Sequence, residues 1–124
     1  MIIGIGCDIV EHAVTSKLNW DKKPRVLLRI FSLPERKQIN KTQTIRFISG
    51  RFAAKEAVLK SLGLVMEDGI PLTDIQILRS KKGKPQVQLK GSLKSVSEKL
   101  GITSIQLSIS HSRYYSLAFA ISEG

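Results

Sequence analysis

The segment FISGRFAAKEAVLKSLG, residues 47–63, constrains the fold more than any other stretch. It reads as one long helix with Gly63 as its stop. Ile45, Ile48, Phe52, Leu59 and Leu62 recur at steps of three, four and seven, an apolar stripe that faces a core. Ala53, Ala54 and Ala57 keep another side thin enough for close packing. Yet Arg51, Lys55, Glu56 and Lys60 run through the centre of the same helix. These charges either form a solvated face or surround something charged.

The rest of the chain alternates between the two periodicities. MIIGIGCDIV at 1–10 pairs β-branched with small residues and predicts a buried first strand. Residues 22–41 carry seven Lys and Arg against the single acid Glu35. Val26, Leu27 and Ile30 give that stretch a short helical stripe, and Pro34 opens a further turn or helix. TDIQILRS and PQVQLK read as a hairpin around KKGKP. SLKSVSEKLG at 92–101 has Leu93, Val96 and Leu100 at helical spacing, Ser92 as a cap and Gly101 as a stop. SIQLSIS and YYSLAFAIS alternate cleanly and predict two more strands joined across HSRY. The pattern is that of one α+β domain over residues 1–124, with a small antiparallel sheet packed on a long central helix.

Composition narrows the function classes. The chain has 124 residues and a formal net charge of +10, from 20 Lys and Arg against 10 Asp and Glu. That imbalance favours a polyanionic partner: nucleic acid, a membrane surface, a phosphorylated small molecule or an acidic protein. A lone cysteine, Cys7, excludes an internal disulfide and any metal site built from several cysteines. It is expected to be a small buried residue. No apolar run approaches a membrane span, and no targeting segment is visible, so a cytoplasmic location is expected.

Several residues are candidates for chemistry. Asp8 directly follows an apolar run, which suits either a turn or cap or a site at the strand end. Glu56 shares a helix face with Phe52 and Lys60, four residues to either side. A solvated i,i+4 ion pair is the plain alternative, worth about 0.3–0.5 kcal/mol. Arg51 adds a planar phosphate-binding group. His111 lies in SISHSRY among Ser108, Ser110 and Ser112, as a structural histidine or a phosphate contact. Two carboxylates on different elements suit Mg²⁺, which is held by one or two carboxylates together with phosphates and water.

GIGCDIVE at 4–11, GRFAAKEAVLKSLG at 50–63, GKP at 83–85 and SISHSRYYSLAFAI at 108–121 together resemble the holo-[acyl-carrier-protein] synthase family. These are the small trimeric phosphopantetheinyl transferases. The blocks follow the family's order and spacing. The resemblance implies the phosphopantetheinyl transferase fold and a homotrimer with its sites between subunits. It implies transfer of 4′-phosphopantetheine from coenzyme A to a serine of apo-acyl carrier protein, with 3′,5′-ADP released. Asp8 and Glu56 then match Mg²⁺ ligands, and Lys60 matches the lysine that neutralises the pyrophosphate. Glu56 is also the candidate base, directly or through water. Arg51, His111 and Ser112 match positions around the 3′-phosphate, where Arg51 and His111 serve a metal held by the adjacent chain. Gly83, Lys84 and Pro85 resemble the loop beside the adenine.

One position departs from the family. Val14 stands where many members carry the arginine that contacts the acidic carrier protein. Lys17, Lys22, Lys23, Arg25 and Arg29 follow closely and offer the positive potential that such docking needs. The main rival reading is a basic nucleic-acid-binding module without catalysis. The seven aromatic residues form no stacking series among the basic runs, and Asp8 and Glu56 have no role in it. A regulatory relative that keeps the fold without catalysis is a third reading.

Overall fold

The computed structural model describes residues 1–124, with all side chains except that of Glu67. Strand β1 (Ile2–Glu11) runs into the short helix α1 (His12–Lys17). Helices α2 (Pro24–Ile30) and α3 (Leu33–Lys37) precede the long α4 (Thr44–Ser61). A hairpin of β2 (Ile75–Arg79) and β3 (Pro85–Leu89), helix α5 (Gly91–Lys99) and a closing hairpin of β4 (Ser104–His111) and β5 (Tyr115–Glu123) complete the chain. The fold is α+β.

β5 is the middle strand of an antiparallel sheet ordered β1-β5-β4, and β2 and β3 pair separately. The register puts Asp8 and Ile109 on either side of Ala118, and Val10 and His111 on either side of Ser116. Successive strand residues point to opposite faces, so Gly4, Gly6, Asp8 and Val10 share the face that meets α4. The first two glycines are required there. A Cβ on Gly4 would run into the carbonyl of Ser61, and one on Gly6 into the carbonyl of Ala57. Ala118 and Ala120 on β5 and Ala53, Ala54 and Ala57 on α4 are fully buried, so helix and sheet approach closely. Asp8 is therefore placed inside the strand, facing the helix, rather than at the strand's end. The same parity turns Cys7 outward, where it is exposed instead of buried.

α4 is more central than its apolar stripe suggests. Besides Ile48, Val58 and Leu59, it buries Ser49, Gly50, Arg51, Lys55 and Ser61. The sheet covers one side, and Phe31, Ile75, Ile77 and Leu93 belong to the core that surrounds it. Lys55 is fully buried on the side away from any solvated face. Its Nζ donates to the carbonyls of Ile30 and Leu72 and, at 2.9 Å, to Oε1 of Glu35. Glu35 is 1% exposed and also accepts from Ser32 N and Ile77 N. Burial pulls the Lys55 ammonium below its ordinary pKa and Glu35 opposes that shift. Three acceptors for its three hydrogens hold it charged. This pair ties α4 to α3, to β2 and to the loop before β2.

Helix ends follow their local chemistry. At the end of α4, Gly63 N donates to Lys60 O and Leu64 N to Leu59 O, with Gly63 at φ +75°. That is the paired bonding of a Schellman stop. α5 ends the same way, through Gly101 and Ile102. Its N-cap is Lys90, and Ser92 lies one residue inside the helix rather than capping it.

Candidate active site

Two clusters of polar side chains lie along α4. The first faces β1. Lys60 Nζ donates to the carbonyl of Cys7 at 3.0 Å and lies 3.4 Å from Oδ1 of Asp8. Lys60 is about half exposed and Asp8 about one-fifth. Glu56 sits one turn before Lys60, next to Ala57, whose carbonyl backs onto Gly6. The glycines at 4 and 6 are what let β1 come close enough for an α4 side chain to reach Asp8. Both carboxylates supply hard oxygen donors, and Lys60 lies beside Asp8. Among the described residues no group of three or more His, Cys, Asp and Glu side chains could hold a metal ion. A metal at Asp8 and Glu56 would thus take its other ligands from substrate or water, the habit of Mg²⁺ rather than Zn²⁺.

The second cluster lies toward the other end of α4 and is cationic. Arg51 is 7% exposed, and its guanidinium stacks 4.9 Å from the centroid of Phe47. Its Nε is buried with no hydrogen-bond partner among the described residues. Burial lowers the Arg51 pKa, and the charge of Arg79 adds to the effect against Glu35. His111 ends β4 and rests on Gly50, where a Cβ would meet its Cε1 at 2.5 Å. Its Nδ1 lies 2.7 Å from Ser116 Oγ. Burial holds the His111 pKa below its ordinary value, helped by Arg46, His12, Arg51 and Arg79. A cavity of about 210 Å³ is lined by Asn40, Gln43, Arg46, Phe47, Arg79 and His111. Like charges gathered in this way favour an anion.

The remaining candidates are placed around this second cluster. Ser112 closes the β4–β5 turn: its Oγ accepts from Tyr115 N at 3.1 Å, and its own N donates to Tyr115 O. Gly83, at φ +81°, Lys84 and Pro85 form the β2–β3 turn, and Pro85 pairs with Arg79 in the ladder. Lys84 and Pro85 also line a groove of about 460 Å³ against β4, which neither Asp8 nor Glu56 touches. Sequence reasoning missed Arg46 and Arg79. Arg46 precedes Gly50 by one helical turn, and Arg79 ends the strand before the GKP turn, so both positions carried a local signal.

Residues 4–120 match the 4′-phosphopantetheinyl transferase superfamily. The chain belongs to that superfamily and is an enzyme of the phosphopantetheinyl transferase class. Within it, the chain sides with the holo-[acyl-carrier-protein] synthases. The one from Clostridium kluyveri is 44% identical over 124 residues, covering 99% of this chain and 91% of its own. Among solved structures, the holo-[acyl-carrier-protein] synthase of Neisseria meningitidis superposes with a TM-score of 0.89 at 30% identity, covering 100% of both chains. The Helicobacter pylori synthase, solved in complex with coenzyme A, gives 0.83 at 30% identity over 96% of this chain and 99% of its own. No helix among the described residues is long and apolar enough to cross a membrane.

Proposed function

We propose that this chain, as a single domain over residues 1–124, transfers 4′-phosphopantetheine from coenzyme A to a serine of an apo-acyl carrier protein in the cytoplasm. The observation that carries the reading is the Asp8–Lys60 contact, with Glu56 one turn away, on a fold shared with a synthase that binds coenzyme A. Asp8 and Glu56 would hold Mg²⁺, which when bound neutralises charge on the pyrophosphate. The serine Oγ attacks the phosphorus that carries the pantetheine. A new P–O bond forms as the bond to the bridging oxygen breaks, and 3′,5′-ADP leaves with that oxygen. Lys60 stabilises the negative charge that grows on the leaving phosphate. Glu56 is the carboxylate that receives the serine proton. Arg51, Arg46, Arg79 and His111 seat the 3′-phosphate, with Ser112 beside it, and the turn at Gly83, Lys84 and Pro85 borders the adenine.

The two clusters belong to one site when copies of the chain assemble. The outer face of the sheet supports association between copies, which the family resemblance makes a trimer. Ile5 is 60% exposed, Ile9 59%, Leu117 45% and Phe119 43%. Leu117 lies opposite Ile9 and Phe119 opposite Cys7, so these side chains form a continuous apolar surface. On the family resemblance, Arg51 and His111 of one copy then serve the site formed by Asp8, Glu56 and Lys60 of another. Carrier docking falls to the exposed Lys17, Lys22, Lys23, Arg25 and Arg29 around Val14.

The test is mass spectrometry of an apo-acyl carrier protein incubated with this protein, coenzyme A and Mg²⁺. A gain of one phosphopantetheine, abolished by EDTA and by Glu56→Gln, is the expected result. A full panel of carriers that gains nothing, while coenzyme A fails to bind, overturns the reading.

A further inference from the structure

Ser116 joins two histidines that lie 99 residues apart in sequence. It sits on the central strand with its side chain on the α4 face and no exposure at all. Its Oγ lies 2.7 Å from Nδ1 of His111, its ladder partner on β4. On the other side, 2.7 Å away, is Nε2 of His12, the residue that follows β1. Nδ1 of His12 in turn lies 3.2 Å from the backbone carbonyl of Arg113.

That carbonyl can only accept, so Nδ1 of His12 carries a hydrogen. When His12 is neutral its Nε2 is a lone pair, and Ser116 donates to it. Ser116 Oγ must then accept from Nδ1–H of His111. The whole chain runs in one direction and leaves Nε2 of a neutral His111 as a bare acceptor. When His12 is protonated, its Nε2–H donates to Ser116, whose own hydrogen swings to His111 Nδ1. His111 is then neutral with its hydrogen on Nε2. If both rings are protonated, both donate into one buried hydroxyl whose hydrogen finds neither imidazole free.

We propose that His12, acting through Ser116, is a positioning residue that decides which nitrogen of His111 carries a hydrogen. One proton anywhere on the chain gives His111 an Nε2–H donor, and that proton can reside on His12. This matters because His111 faces Arg46 and Arg51 from α4 and Arg79 from β2, beside Ser112 and Arg113 of its own hairpin. A charge on its ring is opposed by all three arginines. His12 shares a cavity with Lys41, Arg46 and Arg113, and no carboxylate lines that cavity or the one at His111. An anion that reaches His111 needs a donor and is repelled by a lone pair. The relay supplies the donor without charging the ring. Its use rests on the reading of His111 as a contact of the coenzyme A 3′-phosphate.

The test is long-range ¹H–¹⁵N NMR of histidine-labelled protein, free of ligand, between about pH 5 and 8. At the upper end His111 is expected as the Nδ1–H tautomer. On acidification its Nε2 gains a hydrogen with the same midpoint at which His12 takes up a proton. Ser116→Ala uncouples the two titrations and releases the His111 tautomer. His12→Phe can neither accept from Ser116 nor donate to it, so the Ser116 hydrogen is free to point at Nδ1 and a neutral His111 holds Nε2–H across this range. In this variant the preference for coenzyme A over 3′-dephospho-coenzyme A stays level as pH rises, whereas in the parent it falls roughly tenfold. An Nε2–H tautomer near pH 8 in the unmodified protein overturns the relay. So do ¹⁵N shifts and midpoints unchanged by Ser116→Ala, or a phosphate preference that falls with rising pH as much in His12→Phe as in the parent. If the coupled titration is present and neither form of coenzyme A binds, the relay stands and the coenzyme A reading falls.

Discussion

Lys60 on α4 reaches across to Asp8 on β1, Nζ to Oδ1 at 3.4 Å, while donating to the carbonyl just before Asp8. Two glycines make the contact geometrically available, because any side chain at Gly4 or Gly6 would push the strand off the helix. An ammonium held by a backbone carbonyl is already in place when charge develops beside it, which is the condition for electrostatic catalysis.

Lys60→Gln is therefore expected to lower kcat/KM by about 10²- to 10³-fold, mostly in kcat. Coenzyme A affinity should change much less. Steady-state kinetics with calorimetric binding checks this. An equal loss in affinity and rate would make Lys60 a ground-state contact.

Lys55→Met is expected to destabilise the fold by about 3–5 kcal/mol, because it leaves the Glu35 carboxylate buried without its cation. The double change Lys55→Met with Glu35→Leu should recover most of that loss. Urea unfolding of both variants measures it. A single variant as stable as the parent would show that the pair is dispensable.

His111 is held below its ordinary pKa of 6.5, mainly by burial. The unfolded chain thus binds a proton at this residue before the folded one does. The stability it contributes is complete above pH 6.5 and is lost as pH falls through the lower folded value. Calorimetric Tm without coenzyme A should fall more steeply below about pH 6.5 in the parent than in His111→Gln. Parallel pH profiles would contradict the assignment.

Charge reversal at Arg25 or Lys22 should raise KM for the carrier protein, roughly tenfold at low salt, with kcat retained. The difference from the parent should shrink as ionic strength rises. Kinetics at two salt concentrations tests this, and an unchanged KM would move docking to another surface.

What could be read before the structure was known depended on periodicity and punctuation. The strands, the hairpins and the Gly63 and Gly101 stops are local patterns, and each appears where its pattern stands. Lys55 and Glu56 are neighbours in sequence, and helical spacing alone does not tell which one turns inward. The answer lies with Glu35, 20 residues upstream, and with carbonyls on two other segments. Cys7 looked inward for its size, yet the glycines at 4 and 6 already occupy the inward parity. Ser116 carried no signal, because its partners meet it only through the β1-β5-β4 register.

The central claim is that Asp8, Glu56 and Lys60 of one subunit work with Arg51 and His111 of another. Mixing Glu56→Gln and His111→Ala proteins after dissociation and reassembly tests it directly. Each variant alone should be inactive in carrier modification. In an equal mixture, about one site in four pairs two intact halves if exchange is random, so activity should return to roughly a quarter of the parent's. A mixture no more active than its components, with subunit exchange verified, would contradict the shared site.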